Sequence, residues 1–169
     1  MSNEPILDVP LYGDLILCVL HGSPFPEPQR AQRLLLGTVA QESAFTYTQQ
    51  IGGGPARGYF QVEPATETSI WQDFLAYHTD LRAYVTSRCG RGGPDTAALE
   101  YDMVYGILLA RILYYWRDPD PLPDLEDVEE QAVRWKQFYN TPHGAGTESQ
   151  YVASYNRLVR PYYPARAQG

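Results

Sequence analysis

No run of 18 apolar residues occurs in this 169-residue chain, so no membrane-spanning helix is expected. The opening Met1-Ser2-Asn3-Glu4-Pro5 has neither a basic leader nor an uninterrupted apolar stretch. A secretory signal is therefore not expected, and an extracytoplasmic target would be reached by another route. Cysteine is scarce: Cys18 and Cys89 are too few for a disulfide framework, and their spacing matches no metal pattern. Nothing else points to an oxidising compartment, so two reduced, partly buried thiols are expected rather than a bridge. Bases are also few. Thirteen Lys and Arg against twenty Asp and Glu leave a formal charge of −7, which argues against nucleic acid as a partner. His21, His78 and His143 lie far apart without HExxH spacing, so a metal site is not expected.

What remains is a chain with 44% apolar residues, 14 Tyr and 3 Trp. Its length and composition predict one domain, residues 1–169, with a core of its own. Aromatic residues in this number suit a core and a sugar-binding cleft equally well.

The apolar segment 6–20 reads as a helix broken by Pro10 and Gly13. Pro24, Pro26 and Pro28 mark a turn. Gln29 to Phe45 reads as a helix, with Leu34, Leu35, Leu36, Val39 and Ala40 in its buried stripe and Glu42 in its last turn. Gly52-Gly53-Gly54-Pro55 and Gly58 exclude a regular helix from 46–63, where Tyr59, Phe60 and Val62 could form a short extended piece. A helix should start near Pro64 and Thr66, with Ile70, Trp71, Phe74 and Tyr77 on its apolar face. After a loop at 88–94, Asp95 or Thr96 would cap a long, centrally buried helix to about Trp116. Pro119, Pro121 and Pro123 break the chain again. Asp124 to Asn140 reads as amphipathic, with acids at its N-terminal end, and Thr147 with Glu148 opens a last helix that ends before Pro161. The fold class is mainly α, with room for a short β element near residues 51–62.

Two segments carry chemistry. The first is Gln41-Glu42-Ser43-Ala44-Phe45 at a helix end. The second is the stretch Gly52 to Thr66. Glu42 follows a buried stripe and precedes a loop, which places its carboxyl at the edge of the core, where desolvation raises its pKa. A carboxylic acid tuned to about 6 can protonate a leaving glycosidic oxygen near neutral pH. A Gly-rich stretch lets backbone approach a ligand closely. By position alone, however, a Glu at a helix end is ordinarily a solvated charge.

The combined pattern resembles the lytic transglycosylase and goose-type lysozyme family. There a Glu-Ser pair ends a helix, followed by Gly-Ala-Arg-Gly-Leu-(Met/Phe)-Gln and Pro-Ala-Thr. Here the order is Glu42-Ser43, then Pro55-Ala56-Arg57-Gly58-Tyr59-Phe60-Gln61, then Pro64-Ala65-Thr66, with the similarity concentrated in residues 37–66. The helix from Tyr105-Gly106 to Tyr114 is similar to a third family element. Phe138-Tyr139-Asn140-Thr141, followed by Gly144-Ala145-Gly146-Thr147, is similar to its late Ala-Tyr-Asn-Ala-Gly motif. The form from Trp135-Lys136 to Thr147 resembles phage-encoded members.

The resemblance implies a lysozyme-like fold with a cleft between two lobes. It implies cleavage, without a cofactor, of the bond between N-acetylmuramic acid and N-acetylglucosamine in peptidoglycan. Glu42 would be the single acid and base. The attacking hydroxyl would be the sugar's own C6 group in a transglycosylase, giving a 1,6-anhydro product, or water in a goose-type lysozyme. Ser43 would assist near the sugar. Gln61 and the backbone of Gly58, Tyr59 and Phe60 would line central subsites. Tyr139 would orient Glu42 through its hydroxyl, and Asn140 would stand on the cleft wall. The glycan strand is then the partner, with other virion proteins as further candidates. The enzyme would sit in the virion, or in the host cytoplasm before release, and act in the periplasm and cell wall. The departures are Tyr59 for a usual Leu, Glu63 at a commonly apolar position, three glycines before Pro55, and Thr141 after Asn140.

Other readings stand beside this one. Most glycosidases pair two carboxylates, and Glu63, Asp73 or Asp102 could be a second acid. Glu63 adjoins a helix start, where a carboxylate is favourable for a structural reason. Ser43 lacks a Gly-x-Ser-x-Gly elbow. Tyr114-Tyr115-Trp116 could be a sugar platform or core, and Arg57 could bind a substrate carboxylate or pair with a nearby acid. A non-catalytic glycan-binding or virion structural module is the reading of another class.

Overall fold

A computed structural model describes residues 5–165. The leader reading therefore falls, except for Pro5, outside the described residues. The described chain is mainly helical, and no helix in it is long and apolar enough to cross a membrane.

Helix α1 spans Val9–Leu20 without a break. The expected interruption at Pro10 is absent because Pro10 sits in the first turn, where no N–H partner is needed, and Asp8 caps that turn by accepting from Leu11 N. Gly13 does not end the helix either. It is the point where α1 meets Gln32, whose Nε2 donates to the Gly13 carbonyl at 2.9 Å. Helix α2 spans Pro28–Ser43 and buries Leu34, Leu35, Leu36, Val39 and Ala40. It packs between α1 and the last helix.

Residues 44–63 are irregular. In place of a strand the loop has two isolated bridges, Gln49 to Arg57 and Arg57 to Val62. Helix α3, Pro64–Ser69, runs into a π turn at Ile70–Phe74 and a 3₁₀ turn at Leu75–Tyr77. Ile70, Trp71 and Phe74 are buried as expected, but Tyr77 is 79% exposed, because the change of helical pitch swings it off the apolar face. Helix α4, Thr79–Cys89, was not anticipated by the periodicity: it buries only Leu81 and Val85.

The expected long helix divides into α5, Ala98–Tyr101, and α6, Met103–Arg117. Asp102 leaves the helical conformation and caps α6 by accepting from Tyr105 N. An Arg91 ion pair holds the same carboxylate. Helix α6 is central as expected, with Tyr105 to Tyr114 buried throughout. Beneath it lies an interior network that sequence reading missed. Glu67 is fully buried and accepts from Asp95 N, Thr96 Oγ1 and Tyr105 Oη, while Trp71 Nε1 donates to Tyr105 Oη. Three donors satisfy the carboxylate and tie the 91–97 loop to α3 and α6.

The segment expected to be helical from Asp124 begins later, as α7, Val128–Arg134, capped by Asp127, and it continues as a π turn, Trp135–Asn140. Helix α8, Glu148–Leu158, opens with a capping box of Thr147 and Gln150. Gly37 permits the contact of α2 with α8: a Cβ there would stand 2.0 Å from Tyr151 Oη, which donates to the Leu34 carbonyl. The buried apolar side chains, Ala56 apart, form one cluster. Both thiols are free, but Cys18 is exposed rather than partly buried.

Candidate active site

Glu42 is half-buried in the last turn of α2 and lines a cleft of about 410 Å³. The opposite wall comes from the start of α3, the end of α6, and the π turn with the loop that follows it. Gln61, Glu63, Thr66, Leu113, Arg117 and Tyr139 contribute, together with Asn140 and His143. Desolvation lifts the Glu42 carboxyl to about 7, while a hydrogen bond from Trp135 pulls it down. Trp135 Nε1 donates to Glu42 Oε1 at 2.8 Å. With Oε1 engaged, Oε2 is the atom that can carry and release a proton.

Trp135 is itself fixed. It is buried at the start of the π turn, and its ring lies 5.6 Å from that of Tyr151 on α8. A single extra backbone residue of this kind turns a helix face, and such bulges recur at functional sites.

The assigned orienting role of Tyr139 is corrected by this geometry. Its hydroxyl donates to the Phe60 carbonyl at 2.7 Å, and its ring stacks on Tyr114 at 5.3 Å. Burial, and then the nearby Glu42 carboxylate, push its phenol well up, so it stays a neutral donor. Tyr139 thus stands in the cleft and ties the Gly-rich loop to the C-terminal π turn, while Trp135 holds the acid. Sequence reading missed Trp135. The available signal was its spacing four residues before Tyr139 in a segment read as one helix, which puts both on one face.

Ser43 does not reach the cleft. It is buried, and its Oγ donates to the Val39 carbonyl at 3.2 Å, one turn back in α2. Adjacent helical positions point about 100° apart, so Glu42 and Ser43 face different surroundings, the acid towards the cleft and the serine into the core. Gly58, Tyr59 and Phe60 also lie outside the cleft lining. Tyr59 and Phe60 pack against Tyr12 of α1, with ring centroids 6.0 and 6.3 Å away. Gly58, at φ 76°, approaches backbone rather than ligand: a Cβ there would meet the Leu99 carbonyl at 2.3 Å.

Gln61 is on the cleft wall, with Nε2 donating to the Gly58 carbonyl at 2.9 Å. Asn140 is there too, held by Lys136 Nζ at 2.8 Å on its Oδ1; the same ammonium donates to the Gly144 carbonyl. Thr141 follows at φ 73° and ψ 152°, a conformation ordinarily open only to glycine.

Among the alternative carboxylates, Asp102 is a cap paired with Arg91, and Asp73 lies exposed on a different groove. Glu63 occupies the N-cap position of α3, but its side chain makes no capping hydrogen bond, and it is exposed on the same cleft as Glu42. Arg57 pairs with Glu100 at 2.9 Å and donates to the Gly54 and Ala56 carbonyls, so it is engaged away from the cleft. The cation in the cleft is Arg117, which donates to the Phe138 carbonyl at 3.1 Å. Comparisons with family models, curated proteins and solved structures return no match to this chain.

Proposed function

We propose that the chain is a lysozyme-like enzyme that cuts the β-1,4 bond between N-acetylmuramic acid and N-acetylglucosamine in peptidoglycan. It would be a phage-encoded relative of the lytic transglycosylases and goose-type lysozymes. The observation that carries this reading is Glu42: one half-buried carboxyl in a cleft, with a pKa near 7 and one oxygen held by an indole N–H. Such a group is neutral often enough to act as an acid, and ionised readily enough to act as a base.

In the proposed reaction the Glu42 proton passes to the glycosidic oxygen, the C1–O bond breaks, and the leaving sugar departs as its alcohol. The cationic sugar that remains is attacked at C1 by its own C6 hydroxyl, whose proton returns to Glu42. Atoms balance without a second carboxylate, and the product is the 1,6-anhydro sugar. Attack by water in place of the C6 hydroxyl gives hydrolysis from the same site. Trp135 keeps Glu42 oriented through both proton transfers. Gln61, Tyr139 and Asn140 stand where they can hydrogen-bond the sugar, with Tyr139 also bracing the loop.

The test is clearing of purified peptidoglycan by the wild type and by Glu42→Gln. Equal clearing by both removes Glu42 from the mechanism. Binding without clearing by the wild type would instead favour a glycan-binding or virion structural module. Mass spectrometry of the released muropeptides separates the two chemistries, because the anhydro product is lighter by one water. The proposed location, in the virion or in the host cytoplasm until release, is tested by mass spectrometry of purified particles. Absence of the chain there leaves only the released enzyme.

A further inference from the structure

A second groove borders the other side of the C-terminal end of α6 and shares no lining residue with the Glu42 cleft. Its volume is about 780 Å³. A neighbouring depression of about 340 Å³ extends it through the shared residues His78 and Tyr115. The reaction proposed for Glu42 uses none of these residues.

The groove has an aromatic floor. His78 stacks on Phe74 with ring centroids 3.9 Å apart, Phe74 lies 5.5 Å from Trp116, and Tyr115 meets Phe74 edge-on at 6.3 Å. Tyr115 is 41% exposed and Tyr77, in the extension, is 79% exposed. Large aromatic side chains held rigidly by one another and left open to solvent mark a binding surface. All three of Tyr114-Tyr115-Trp116 border the groove, but Tyr114 is a buried core residue, while Tyr115 and Trp116 are open to solvent in whole or in part.

The polar groups around this floor select the ligand class. Arg111 is buried between Phe25 and Tyr115, 5.2 and 5.6 Å from their centroids. Its Nε has no hydrogen-bond partner among the described residues, and neither has Asp118 Oδ2. Glu27, Asp73 and Asp120 join Asp118 on the walls. Glu27 is paired with Arg30, and Asp118 and Asp120 with Arg134, so the walls are polar but carry little net charge with which to hold an ion of either sign. A neutral ligand with many hydroxyls suits such walls: its hydroxyls donate to carboxylate oxygens and accept from N–H groups, while its C–H faces lie on the rings.

We infer that this groove, built on Tyr115, Trp116 and Phe74 with Arg111 and Asp118 at its walls, is an accessory binding site for a neutral saccharide chain. The choice of peptidoglycan glycan as that saccharide rests on the function proposed above. The groove holds the chain on its polymer while the Glu42 cleft engages and releases successive bonds.

The test is co-sedimentation with purified, protein-free peptidoglycan sacculi, using the full chain carrying Glu42→Gln so that the polymer persists. Adding Tyr115→Ala should weaken retention about tenfold, the scale of a lost aromatic stacking contact. Tyr115→Phe should stay within about twofold of the parent. Tyr77→Ala alters a side chain too exposed to affect folding, and should weaken retention about threefold. With Glu42 intact, Tyr115→Ala should clear a short soluble glycan fragment at the wild-type rate. Retention of both alanine variants at the parent level overturns the inference, whatever the activity of Glu42. Weakened retention together with a wild type that never clears sacculi would leave the groove standing and remove the catalytic reading.

Discussion

The indole N–H of Trp135 reaches the Glu42 carboxylate at 2.8 Å across 93 residues of sequence. It joins the end of α2 to the π turn after α7, and it is the direct link between the acid and the C-terminal part of the chain. A hydrogen bond to a charged group is worth roughly 1.5–3 kcal/mol, which is enough to set both the orientation and the proton affinity of the carboxyl.

Trp135→Phe keeps the ring against Tyr151 and removes the donor. The donor favours the ionised carboxylate, so its loss should raise the Glu42 pKa above about 7 by roughly one unit. The alkaline limb of the kcat/KM profile should move upward with it, while kcat falls at least tenfold because the acid is no longer held in place. An unmoved alkaline limb would mean that this bond does not tune the acid.

Glu42→Gln should abolish clearing and at the same time stabilise the protein at alkaline pH. The Glu42 pKa rises on folding from its ordinary 4.5 to about 7, so between those values the folded chain binds more protons than the unfolded one. Stability from this group is therefore full below pH 4.5, falls as pH climbs towards 7, and is flat above. Allowing for the screening of a half-buried group, the variant should gain ~2 kcal/mol over the wild type at pH 8 and close to nothing at pH 4.5. Urea unfolding at the two pH values measures the difference. A gain of equal size at both would assign it to packing instead.

Ser43→Ala should leave turnover within about twofold of wild type. The hydroxyl is buried and bonded to the Val39 carbonyl, and serine in that back-bonded position adds little to a helix. A large loss of kcat with an unchanged melting temperature would restore Ser43 to the cleft.

Thr141→Gly should raise stability by about 1 kcal/mol. The strain of a β-branched residue at φ 73° and ψ 152° is of order 1–3 kcal/mol, and the greater freedom of glycine in the unfolded chain offsets part of the relief. Equilibrium unfolding in urea reads this directly. A destabilised variant would show that the threonine side chain holds the loop over Asn140.

Much of the architecture follows from local pattern. The stripe of α2, the proline and glycine breaks, the Thr147 cap and the apolar α6 are all set by neighbours within a few residues. The start of α1 around Pro10 is also a local matter, since Asp8 caps the first turn three residues away, although periodicity alone does not show it. Tertiary context decided where periodicity was silent or misleading. Asp102 divides what reads as one helix because Arg91 and the Tyr105 N–H engage its carboxylate. Helix α4 carries too narrow an apolar face to announce itself, and Glu67 is buried because three donors from distant segments converge on it.

The same division holds at the site. Sequence by itself placed Glu42 in the last turn of a helix, at the edge of a buried stripe; that Gln61, Tyr139 and Asn140 share a cleft with it is a property of the tertiary structure. Only the tertiary structure decided which side chains face that cleft. Ser43 points inward because the helix turns by about 100° per residue. Gly58, Tyr59 and Phe60 serve α1 and α5. Trp135, not Tyr139, holds the acid, because a π turn between α7 and the loop sets the direction of each ring. Side-chain direction depends on backbone turns too small to leave a periodic trace in sequence, and on contacts between residues more than ninety positions apart.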